Sequence, residues 1–185
     1  QLFLAKYSDD VDFGPAVDQA INNWGATVIV HAAGFFQGGP GNGTGTVNDK
    51  VTTTTTAGVL WVQAAGDHAQ RHWSGVGTTD FNQNGFFDTF GLSEPHKITA
   101  TAGDLIDVTL KWNDPYGDSV NDYDLYVCSD PLCENLPIIG SSKNVQRQCQ
   151  LNENPCPQFN PEEHIRVASA TYTGFYFIKV LRFAA

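Results

Sequence analysis

The chain has 185 residues, of which 41% are hydrophobic and 16% charged, and its formal net charge is −10. That length holds one large domain or two small ones with a real core, while the acidic excess, with Lys and Arg nowhere clustered, argues against a nucleic-acid partner. No apolar run approaches the roughly 20 residues of a membrane helix, no signal-peptide pattern is visible, and the lack of methionine makes Gln1 read as the start of a processed or excised segment.

Gly, Thr, Asn and Asp are plentiful, which favours strands and turns over long surface helices. Residues 2–7 (LFLAKY) read as a short apolar strand. Residues 12–24 read as a helix: Val17, Ala20, Ile21 and Trp24 recur at helical spacing, Pro15 falls in the tolerant first turn, and Gly25 ends it. Residues 26–34 (ATVIVHAAG) are continuously apolar, as parallel strands covered on both faces tend to be. A Gly-rich loop follows at 38–45. Its Asn42-Gly43-Thr44 sequon matters only on a eukaryotic secretory route. Residues 47–57 contain TTTTT, a poor helix former, yet two parallel strands need a crossover, so a helix closed by Gly58 is expected. Residues 59–66 (VLWVQAAG) make the third strand. A three-stranded parallel layer leaves its edges unpaired and reads as part of a larger sheet.

Near residue 80 the pattern changes. KITAT, DLIDVTLKW, DYDLYVC, IIGSS, IRVASATY and GFYFIKVLRF are short strand candidates separated by turns, and Ile106, Val108, Leu110 and Trp112 alternate cleanly. The expected fold class is therefore α/β plus all-β: a partial three-stranded parallel α/β layer over residues 1–79, then an antiparallel, jelly-roll-like β-sandwich with a calcium loop over residues 80–185.

The strongest chemical motif is DFNQNGFFD. Asp80, Asn82 and Asn84 place oxygens at alternating positions, Gly85 permits a sharp turn, Phe86 offers its carbonyl and Asp88 closes the set. Alternate side chains of a tight loop converge on one centre, which is what Ca2+ requires. Gly91 stands where an EF-hand carries its bidentate Glu, and an Asx-rich turn without metal is the alternative. Asp114, Asp122 and Asp124, with Asp118 and Asn121, form a second acidic cluster, read as a further cation site or a solvated turn. His68 and His72 are spaced i, i+4 and could grip zinc on a helix, but Ala69 stands where the metalloprotease motif needs Glu. Cys128, Cys133, Cys149 and Cys156 suit two local disulfides, Cys128–Cys133 and Cys149–Cys156. Four cysteines allow three pairings, and reduced cytosolic thiols are the rival. There is no GxSxG elbow, and GGPGNGTG lacks the Lys-Ser/Thr ending of a phosphate loop.

Two segments, VDQAINNWGATVIVHAAGF and AGVLWVQAAGDHA, resemble the subtilisin-like serine proteases. They look like that family's helix with its "DVINxSxG" strand and its "aGvxvvxAAGNxG" strand. The resemblance implies that these strands are parallel neighbours whose ends wall the pocket for a substrate side chain. Ala32, Ala33 and Gly34 would form one wall, and Ala64, Ala65 and Gly66 the other. Asp67 takes the position of the family's oxyanion Asn, a departure, since a carboxylate accepts where a donor is needed. No Asp-Thr/Ser-Gly, His-Gly-Thr or Gly-Thr-Ser occurs, so the catalytic triad is absent. The β-rich half resembles sandwich domains attached to secreted peptidases, through Trp112-Asn113-Asp114 and Asp122-Tyr123-Asp124-Leu125-Tyr126.

These readings converge on a segment of a secreted, extracellular endopeptidase. It would act on polypeptide substrates together with the remaining parts of a protease domain, and its cofactor would be Ca2+. A calcium-binding interaction module and a zinc hydrolase using His68 and His72 are the alternatives.

Overall fold

The computed structural model describes residues 1–8, 10–36, 39, 41–66, 71–75, 85–87, 96–133, 138–146, 159–167 and 170–183. The chain divides into two compact units, Gln1–His72 and Trp73–Ala185.

The first unit is built on one parallel strand pair. Helix α1 (Asp10–Asn22) buries Phe13, Val17 and Ala20, three positions that helical periodicity puts on one stripe. It begins two residues before the expected start, so Pro15 lies in the second turn and removes the bond to the carbonyl of solvent-exposed Val11. Gly25, at φ 64°, stops the helix, with its N–H on the Ile21 carbonyl at 3.1 Å. Strand β1 (Val28–His31) then pairs in parallel with β2 (Leu60–Gln63), in the register Val28↔Leu60 to His31↔Gln63.

The crossover is helix α2 (Thr46–Thr56). Its threonines return their hydroxyls to the backbone: Thr53, Thr54 and Thr55 donate to the carbonyls of Asp49, Lys50 and Val51 at 2.8, 2.8 and 3.1 Å. Such back-bonding gives the hydroxyls partners within the helix, while the parallel crossover, not propensity, calls for the helix here. Gly58, at φ 88°, ends the helix as expected.

The expected first strand is corrected. Residues 1–7 join no ladder, and Leu2 and Leu4 are 96% and 93% exposed. Rings hold this segment instead: Phe3 stacks on Trp24 with centroids 5.0 Å apart, and Tyr7 meets Phe13 edge-on at 5.6 Å. Among the described residues the parallel layer thus has two strands rather than three.

The second unit is antiparallel. One sheet has the order β3 (His96–Ala100), β8 (Gly174–Phe183), β5 (Asp122–Cys128), β6 (Ile138–Ser142), and a second pairs β4 (Ile106–Lys111) with β7 (Glu162–Val167). Both sheets line one core of Ala100, Ile106, Leu125, Val127, Ile165, Ala170 and Tyr176. Gly140 on β6 lies so close to β7 that a Cβ there would meet the Ile165 side chain at 2.7 Å. Cys128, at the end of β5, is disulfide-bonded to Cys133, with Cα atoms 5.5 Å apart. Among the described residues no helix is long and apolar enough to cross a membrane.

Candidate functional site

Alternation along β1 and β2 decides which side chains meet beneath the strand ends. Ile29 and His31, with their partners Trp61 and Gln63, share the face that packs against α1, and Val28, Val30, Leu60 and Val62 share the other. His31 is buried within rings of Tyr7, Phe13, Phe35 and Trp61, whose centroids lie 5.2–6.0 Å from its own. A polar ring in such a place needs partners on both nitrogens. Nδ1 faces Gln63 Oε1 at 2.7 Å, and Nε2 faces the Tyr7 hydroxyl at 2.5 Å. Burial pushes the Tyr7 phenol above its ordinary value, and the direction of its bond to His31 follows the imidazole tautomer.

The two Ala-Ala-Gly segments leave β1 and β2 on the same side. The ladder's last bond runs from the Ala64 N–H to the His31 carbonyl at 3.0 Å. Beyond it Ala32, Ala33, Gly34, Ala64, Ala65 and Gly66 are all exposed. The Gln63 amide crosses from one segment to the other: its Nε2 donates to the Ala33 carbonyl at 2.6 Å and to the Ala64 carbonyl at 3.2 Å. Asp67 and His68 lie outside the described residues, and His72 is exposed.

Of the expected calcium loop, Asp80, Asn82, Asn84 and Asp88 lie outside the described residues. Gly85, Phe86 and Phe87 are described, and they run along β8. Phe86 bridges Leu181, the Phe87 N–H donates to the Val180 carbonyl at 2.8 Å, and the Phe86 ring meets Tyr126 edge-on and lies under Lys179. Gly85, at φ 88°, already approaches Leu181.

The second acidic cluster is organised by hydrogen bonds. Asp114 Oδ2 accepts from the Trp112 indole, the Ser119 hydroxyl, and the backbone N–H groups of Val120 and Asn121, at 2.7–3.2 Å, while the Asn121 amide reaches Oδ1 at 2.8 Å. Burial raises the Asp114 pKa, but the donors of Asn121, Ser119 and Val120 outweigh it and hold the carboxyl below its usual range. These bonds make Asp114 the staple of the turn. Asp118 bridges Phe159, next to that turn.

Asp122 and Asp124 stand on one face of β5, and both are buried. Asp122 accepts from the Gln146 backbone, and Asp124 from the Tyr126 hydroxyl at 2.9 Å. Burial first, then Asp124, pushes Asp122 up. Burial and the Asp124 hydrogen bond push Tyr126 up to about 12. Among the described residues no three His, Cys, Asp or Glu side chains are placed to hold one metal ion.

Sequence reasoning missed Glu163. It is fully buried, and its carboxylate accepts from Ser142 Oγ, the Asn144 backbone and side-chain amides, and Gln146 Nε2. Burial raises its pKa further than these donors lower it, and Asp124 adds to the rise. His31 and Gln63 were also missed. Their signal was a polar residue closing each of two apolar runs, VIVH and LWVQ. Cys149 and Cys156 lie outside the described residues.

Comparison of the chain with protein-family models, curated proteins and solved structures found no match.

Proposed function

We propose that this chain is a segment of a secreted subtilisin-like serine endopeptidase, supplying the two walls that receive a substrate side chain. The supporting observation is the parallel pairing of β1 with β2, which brings the two Ala-Ala-Gly segments out side by side. Attacking Ser, general-base His and orienting Asp would come from flanking sequence, with Asp67 at the oxyanion position. The β-rich unit would be a stabilising attachment. Ca2+ would be held at Asp80, Asn82, Asn84, Asp88 and the Phe86 carbonyl, and the Cys128–Cys133 disulfide accords with an extracellular setting. The chain by itself should not turn over a chromogenic peptide. The same chain expressed with its flanking coding sequence should, and a serine-directed reagent should abolish that activity. Flanks that supply neither a His-Gly-Thr before the chain nor a Gly-Thr-Ser after it overturn the assignment.

A further inference from the structure

We propose that Gln63 is a positioning residue that sets the spacing of the two Ala-Ala-Gly walls, and that His31 fixes its orientation. The use of those walls as a peptide cleft rests on the proposed function. The clamp itself rests on four hydrogen bonds that converge on one amide.

A neutral carboxamide has two donor hydrogens and two acceptor lone pairs, and Gln63 uses all four. Its Nε2 donates to the Ala33 and Ala64 carbonyls, one on each wall, at 2.6 and 3.2 Å. Its Oε1 accepts from His31 Nδ1 at 2.7 Å and from Trp61 Nε1 at 3.2 Å. Turning the amide over would set its NH2 against the indole N–H and its oxygen against two carbonyls, so only one orientation is tenable. The indole is donor-only, so Oε1 must face it. Oε1 must then receive the second proton from His31 Nδ1, which leaves Nε2 to accept from Tyr7. A chain of donors thus runs from Tyr7 through His31 and Gln63 to the backbone of the opposite wall. Because the ladder stops at the Ala64–His31 bond, this amide is the next link between the walls among the described residues. Wall spacing decides how large a side chain an apolar cleft admits, so Gln63 would act on the size of residue accepted.

The test uses the whole 15N-labelled chain. Long-range 15N correlation should show His31 in the Nδ1–H tautomer. Gln63→Glu keeps an acceptor for His31 and Trp61 but removes both donors to the walls. It should leave the tautomer intact while amide exchange at Ala64, whose N–H makes the last ladder bond to His31, rises about tenfold, the scale of one or two net hydrogen bonds. Gln63→Met should lose tautomer and protection together, and if it fails to fold, the wild type and Gln63→Glu still decide. A wild-type Nε2–H tautomer, or unchanged wall exchange in Gln63→Glu, overturns the clamp. Titration with succinyl-tetra-alanine then separates the two ideas. Shifts at both walls without any Gln63 effect keep the cleft and overturn the clamp, whereas a Gln63 effect with unmoved wall resonances keeps the clamp and counts against the cleft.

Discussion

The two units treat the same kind of residue in opposite ways. In the second, β5 buries Leu125 and Val127 to 1% and 0% exposure between two sheets. In the first, β1 and β2 are equally apolar, yet Val28, Val30, Leu60 and Val62 on one face remain 44–71% exposed, and both strands lack an outer neighbour among the described residues. Parallel strands are ordinarily covered on both faces. The antiparallel unit thus closes on its own residues, whereas the parallel pair, among the described residues, leaves one apolar face open.

The largest effect should come from the closed core. Leu125→Ala removes a side chain packed on all sides and should destabilise the second unit by about 2–5 kcal/mol, read from urea unfolding and from amide exchange on β5 and β8. A loss below about 1 kcal/mol would mean that this core is looser than its burial implies, and the contrast between the units would fail.

A smaller effect concerns pH within the same unit. Glu163 and Asp122 have raised carboxyl pKa values, so the folded state binds more protons than the unfolded one above their ordinary values of 4.5 and 3.8. Their stabilising contribution is complete below those values and is lost as pH rises through the folded pKa. Asp114 works in the opposite sense: its contribution is present above 3.8 and is lost as pH falls through its depressed value. Glu163→Gln should therefore flatten the decline of melting temperature with rising pH above 4.5 and leave the acid limb, governed by Asp114, in place. An unchanged slope would show that Glu163 does not control this limb.

What could be read in the sequence followed from local pattern. Five of the six antiparallel strands fall close to their expected runs, residues 122–128 coinciding with β5, whereas β7 (Glu162–Val167) overlaps the expected run 165–172 only at 165–167, because its first half, Glu162–His164, is polar and carries no apolar signal. Helix α2 was legible only through topology, against the propensity of its threonines. The apolar run at residues 2–7 misled because periodicity cannot tell a strand with a ladder from an extended segment pinned by rings. The polar sites escaped for a different reason. Tyr7, His31 and Gln63 are 24 and 32 residues apart, and Glu163 finds its donors 17–21 residues away. A single sequence shows that such residues are polar but not which of them meet. It showed the charge density around Asp114 but not the N–H and O–H donors, most of them backbone and Asn121, that surround that carboxylate.

The smallest expected effect is also the most direct probe of the exposed apolar face of the parallel pair. Leu60 is 60% exposed and faces Val28, itself 52% exposed, across the ladder. Truncating a side chain that contacts mostly water should change stability by no more than about 0.5 kcal/mol, so Leu60→Ala should be nearly silent in this chain where Leu125→Ala is not. In the same protein extended by its flanking sequence, Leu60→Ala should become costly, because a covered apolar face turns the same truncation into a buried cavity. A large loss in the chain alone would mean that the face is already covered in solution, and the contrast between a closed unit and an open one would have to be abandoned. A loss that stays near zero in the extended protein would mean that the flanks do not cover this face.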